Sequence, residues 1–237
     1  MKRHLVASVV AGTLAFSVGE AQAATITIDS FDDGLQSVSA TSGTVFDSVT
    51  GSTSEIVGGE RDVQLEIIDN QFGRLLNAEV DALPPPPEPG ILTISNDTGV
   101  KSKTIITWDG VGGSGLNLDV TGGGMNKFFR FDILTVDLSA VLTLSVNNTA
   151  TLTKTVSETT DPTSVIFKFS EFDNASAMTF TDVQSISLMI SGPANFDLTA
   201  DSLVATVPEP LTILGSGLAL GFGGLLKKEY DKKQKKS

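Results

Sequence analysis

The sequence predicts an all-β protein, a two-sheet β-sandwich or jelly roll. Apolar and polar residues alternate with a period of two along most of the chain. No 3.6-residue apolar stripe competes with that pattern between the two ends. Clusters of Gly, Asn, Asp and Pro separate the alternating runs, as turn residues do between short strands.

The runs follow one another in order. Val63, Leu65 and Ile67 alternate with Gln64 and Glu66, and a second strand-like run covers Leu75 to Val80. Leu92 and Ile94 alternate within 91–97, and Ile106 and Trp108 within 103–109. Phe129, Phe131 and Ile133 flank Arg130 and Asp132, while Leu142, Leu144 and Val146 flank Thr143 and Ser145. Phe167 with Phe169, then Ile186, Leu188 and Ile190, give later strands; Phe196 with Leu198 and Leu203 with Ala205 close the series. About ten to twelve short strands over residues 24–206 suit two packed sheets, one face of each strand inward and the other rich in Thr and Ser.

Composition narrows the chemistry. The 237 residues contain no cysteine and one histidine, His4. Disulfides, thiol nucleophiles and zinc-thiolate sites are therefore excluded. The eight Lys and Arg of residues 24–206 stand against 24 Asp and Glu, so the body carries −16 within a chain of −12. Such a surface repels nucleic acid and anionic lipid.

Both ends read as processing segments. Lys2, Arg3 and His4, an apolar stretch from Leu5 to Val18, and Ala21-Gln22-Ala23 have the layout of a signal peptide over 1–23, with a signal helix and a mature start at Ala24. Removing it leaves no imidazole for Ser-His-Asp catalysis or metal binding. At the other end, over 207–237, Val207-Pro208-Glu209-Pro210 precedes Leu211 to Leu226, a 16-residue uncharged segment, and then six lysines. As a single hydrophobic helix, 211–226 would be about 24 Å long, enough to cross a bilayer with help from snorkelling lysines. The lysines place the tail end inside and the body outside.

The order Pro208-Glu209-Pro210, glycine-rich apolar stretch and basic terminus resembles the PEP-CTERM sorting signal of exported bacterial proteins. That resemblance implies an exosortase as processing partner. It implies a transient anchor at 211–226 and a destination at the cell surface or in the extracellular matrix. Glu229 and Asp231 interrupt the basic end, a departure from the usual compact cluster.

The loops are informative by what they lack. Pro84 to Pro87 with Glu88-Pro89-Gly90 predict an extended surface loop, since proline cannot donate to a ladder. The glycine runs at 111–115 and 122–124 lack the spacing and strand–helix context of phosphate cradles, which excludes nucleotide binding.

Asp29-Ser30-Phe31-Asp32-Asp33, Gly58-Gly59-Glu60-Arg61-Asp62 and the late run Phe172-Asp173, Phe180 and 183–186 are similar to galactose-binding-like jelly rolls of the carbohydrate-binding-module type. No binding residue is carried over from that resemblance. From the residues themselves, Trp108 offers an indole face for a pyranose with Asp109 beside it for a hydroxyl; packing in the core is the alternative. Asp29, Asp32 and Asp33, completed by Asp197 or Asp201, are the candidate ligands for a calcium ion, against the reading of solvated turn acids. Arg61 is expected to pair locally with Glu60 and Asp62. The expected function is an exported structural, adhesive or carbohydrate-binding module with extracellular polysaccharide as partner and no catalytic residue. The alternative is a carboxylate-based glycan-degrading enzyme.

Overall fold

The computed structural model describes residues 25–82, 90–176 and 178–207. The leader 1–23, the proline loop 83–89 and the tail 208–237, with Pro208, Glu209, Pro210 and the apolar segment 211–226, lie outside the described residues. Within them the only helical pieces are three 3₁₀ turns, and no helix is long and apolar enough to cross a membrane.

Thirteen strands build the body. They are β1 (Ile26–Asp29), β2 (Gln36–Ala40), β3 (Thr44–Thr50), β4 (Glu60–Asn70), β5 (Leu76–Ala82), β6 (Gly90–Asn96) and β7 (Val100–Trp108). Then follow β8 (Phe128–Val136), β9 (Ala140–Val146), β10 (Ala150–Val156), β11 (Thr163–Lys168), β12 (Ile186–Ser191) and β13 (Asp197–Thr206). One sheet has seven strands in the order β11-β8-β13-β6-β5-β2, with β1 also paired to β13; the other has six, β10-β9-β12-β7-β4-β3. Every pairing is antiparallel.

The alternation translates directly into layers. β7 buries Ile106 and Trp108, and β12 buries Ile186, Leu188 and Ile190, while the residues between them are half-exposed. From the other sheet, Phe129 and Phe131 on β8 and Leu92 and Ile94 on β6 complete the core. Each such side chain contributes roughly 1.5–3 kcal/mol on leaving water. The two closing runs around Leu198 and Leu203 form one strand, because β13 is continuous. Its register slips between Thr199 and Ser202, and the inward parity passes from Leu198 and Ala200 to Leu203 and Ala205. Phe169 lies past the end of β11, in a 3₁₀ turn.

The expected runs do not include β1, β2, β3 and β10; β1 and β2 are only four and five residues long. β3 and β10 are the edges of the six-stranded sheet, where neither face need be apolar; β3 is exposed at most positions.

Gly90 starts β6 at a close backbone crossing. Its N–H donates to Asp32 Oδ1 at 2.7 Å, and a Cβ there would lie 1.9 Å from the Phe31 carbonyl oxygen. Backbone cannot yield as a side-chain tip can. Gly90→Ala is expected to destabilise the fold by about 3 kcal/mol or more, lowering Tm by roughly 6–12 °C in thermal melts followed by circular dichroism. An unchanged Tm would refute the crossing.

Candidate functional site

Strand alternation sorts the run Glu60-Arg61-Asp62 into two populations. Arg61 points into the sandwich and is fully buried, whereas Glu60 and Asp62 face out and are half-exposed. The expected local pairing of Arg61 with its neighbours is therefore corrected. Its partner is Asp29 on β1, also fully buried: Nη1 donates to both carboxylate oxygens at 3.0 and 2.9 Å. Nε donates to Gln36 Oε1 at 3.1 Å, and Nη2 to the carbonyls of Asp33 and Gly34, so all three guanidinium nitrogens donate. Gln36 passes the chain on to Asp47 at the sheet edge, 3.0 Å away.

Trp108 completes this network. The parity that buries Ile106 also buries Trp108, whose Nε1 donates to Asp29 Oδ2 at 2.8 Å. With no exposed indole face it cannot stack on a sugar, which corrects the first of the two ligand-binding expectations. Phe31 adopts a left-handed backbone at φ 59°, unusual for a bulky residue. Its N–H donates to Asp29 Oδ1 at 2.9 Å, and its ring lies 5.7 Å from the Arg61 guanidinium carbon. Burial pushes the Asp29 carboxyl up, opposed by Arg61 and by the Trp108 and Phe31 hydrogen bonds. The geometry, one guanidinium nitrogen astride both oxygens with two further donors, is that of an ionised carboxylate.

The five aspartates proposed for calcium are not brought together. Asp29 has both oxygens engaged by Arg61. Asp33 accepts from the N–H groups of Gly34 and Ser52, at 2.7 and 2.6 Å, bonds that hold its carboxyl below the usual range. Asp32 accepts from Gly90, and Asp197 accepts from the Asn96 N–H at 3.0 Å. Of the two alternatives for completing the set, Asp201 lies near Asp32, but the two do not converge with a third carboxylate of the described residues. Burial, then the nearby charges of Asp132 and Asp32, raise the Asp201 carboxyl.

Among the described residues, the carboxylates that do converge are Glu60, Asp62 and Asp109, with one oxygen of each within 4.8 Å of the others. Burial, followed by repulsion from Asp62 and Glu60, raises the Asp109 carboxyl, and its Oδ1 is buried without a hydrogen-bond partner. Glu60 Oε1 accepts the Gly112 N–H at 3.0 Å, and Asp62 accepts the Ser48 hydroxyl. Asp109 is one residue past Trp108, hence on the outward side.

Asp62 and Asp109 line an open groove of about 390 Å³ on the outer face of the six-stranded sheet, between β3, β4 and β7. Phe46 on β3 stands at its side, 70% exposed. The register extends the groove into two rows across all six strands. One row runs Ser48, Asp62, Thr107, Ser187, Ser145, Thr151. The other runs Phe46, Gln64, Ile105, Met189, Thr143, Thr153. Five strand spacings make each row roughly 24 Å long. An apolar strip of Phe46, Ile105 and Met189 thus lies beside hydroxyl, amide and carboxylate groups. Phe46 was missed because β3 alternates too weakly to be read; the cross-strand rows needed register, which no single strand encodes.

No known family profile matches the chain, and no curated protein matches it. A family 30 carbohydrate-binding module of a Clostridium thermocellum cellulosomal cellulase is similar over 79% of this chain and 99% of its own, at 16% identity and a TM-score of 0.44. A family 11 carbohydrate-binding module from Clostridium thermocellum, solved with a β-1,3-1,4-mixed-linked tetrasaccharide, is similar over 76% and 94% respectively, at 12% identity and a TM-score of 0.35. An exo-β-agarase is similar over 62% of this chain but only 23% of the enzyme, at 12% identity and a TM-score of 0.41. Likeness at this level decides no function.

The buried pair gives a direct test. Arg61→Ala leaves Asp29 charged in the core, and a loss of about 3–5 kcal/mol is expected in denaturant unfolding. A loss below about 1 kcal/mol, the range of exposed pairs, would refute the burial.

Proposed function

We propose that the protein is an exported, non-catalytic glycan-binding β-sandwich that works at the cell surface or in the extracellular matrix. The observation that carries this reading is the outer face of the six-stranded sheet. There an exposed aromatic ring and the apolar side chains of its row lie beside a long row of hydrogen-bonding side chains. Sugar rings present an apolar C–H face and a polar rim, and this surface offers a partner for each. Export and sorting follow from the two ends of the sequence: a leader over 1–23, then an exosortase acting near Pro208, Glu209 and Pro210 while 211–226 holds the chain in the membrane.

A glycan-degrading enzyme is the second reading, favoured by one observation. The Glu60, Asp62 and Asp109 oxygens within 4.8 Å approach the roughly 5–5.5 Å separation of a retaining carboxylate pair, and Asp109 is the one with a raised proton affinity. Against it, the groove is open on a sheet face and encloses no bond to be cut.

Two outcomes are expected. The purified protein should bind surface polysaccharides in affinity electrophoresis without releasing reducing ends. Phe46→Ala should weaken binding about ten-fold, near 1.4 kcal/mol, with Tm unchanged. Released reducing ends would favour the enzyme, and intact binding in Phe46→Ala would remove this face from the site. Cell fractionation with intact-mass analysis should recover a surface species lacking 211–237; a full-length membrane species would leave an ordinary tail anchor instead of a sorting signal.

A further inference from the structure

The charge on the glycan face is one-sided. The two rows that form it contain no Lys or Arg, and Lys103, one row further along, is held by Glu66 at 2.5 Å. Asp62 lies in the groove itself, Asp109 and Asp47 line it, and Glu60 completes the converging set. Three carboxylates within 4.8 Å repel one another, and no cationic side chain of the described residues compensates them. The partnerless Oδ1 of Asp109 adds an unmet acceptor at the same place. A neutral hydroxyl can satisfy that acceptor but leaves the repulsion. An ammonium group supplies both a donor and a compensating charge. A uronate or sulfate would add to the repulsion.

We infer that the groove selects glycans bearing free amino groups, a glucosamine-type polysaccharide, over neutral and anionic ones. This rests on the reading of the face as a glycan-binding surface. The sugar ring lies along Phe46 and Ile105, and its ammonium points to Asp62, Asp109 and Glu60. The remaining rows of Ser and Thr accept the neighbouring residues of the chain through their hydroxyls. The acids thus act as a charge filter on a surface that otherwise recognises ring shape.

The full chain, purified in a nonionic detergent, is titrated with a glucosamine oligomer and with its N-acetylated counterpart of the same length. The amino form is expected to bind about ten-fold tighter, the scale of one ion pair at a half-exposed surface, and the preference should shrink as salt is raised. The double variant Asp62→Asn/Asp109→Asn should abolish the preference, bringing the two oligomers to equal affinity. A charge-matched control, Asp81→Asn/Asp161→Asn, removes two exposed acids away from the groove and should keep the preference, which separates the groove from the general pull of an acidic body. Equal binding of the two oligomers overturns the inference and leaves glycan binding standing, whereas binding of neither overturns both. Loss of the preference in the control variant overturns it in favour of bulk charge. An oligolysine that binds as tightly as the glucosamine oligomer overturns it in favour of a basic peptide.

Discussion

The buried carboxylate of Asp29 is the constraint on which the rest of the structure depends. It belongs to β1 of the seven-stranded sheet, yet its hydrogen-bond partners Arg61 and Trp108 belong to β4 and β7 of the six-stranded one. One acid thereby ties the two layers together in a direction that apolar packing does not specify. Hydrophobic contact alone tolerates sliding of one sheet over the other; a buried ion pair whose carboxylate also accepts from an indole does not. The left-handed turn at Phe31, with its N–H on the same carboxylate, directs the chain away from β1 towards the crossing at Gly90.

The outer face inherits its chemistry from this interior choice. Because Arg61 and Trp108 are turned inward, their neighbours Glu60, Asp62 and Asp109 are turned outward, by the two-residue period of a strand. The acidic cluster is thus the reverse side of the buried pair. A slip of one residue in β4 or β7 would put a guanidinium and an indole in solvent and three carboxylates in the core. Stability and surface chemistry are therefore coupled at these positions. Substitutions that loosen the Asp29 network are expected to disturb the groove, which that network reaches through Gln36 and Asp47.

Much of the fold was legible in the residues. The runs at 63–67, 103–109, 129–133, 142–146 and 186–190 alternate because each strand has one dry face and one wet face, and all became strands of the sandwich. β3 carries no such run for the converse reason: it is an edge strand, exposed at most positions, and needs no apolar face. At the site the outcome divides by residue. Asp109 was singled out together with Trp108, and the structure separates the two, one in the groove and one in the core. Arg61 was read from its sequence neighbours, although its partner lies 32 positions away. Phe46 carried no signal, since a single Phe in a polar stretch looks the same whether it flanks a groove or a loop.

By itself, the sequence determined the all-β class, the absence of thiol chemistry and the acidic body. Periodicity, composition and charge are local or summed properties and need no long-range contact. The expectation of a leader and a sorting-type tail around that body rests on local patterns as well. Tertiary structure alone decided which aspartate is a core ion-pair partner and which face the groove. That distinction depends on strand register and on what each side chain meets across the sandwich. An aspartate in a written sequence has the same charge in either place; only its surroundings make it a structural clamp or a groove-facing acid.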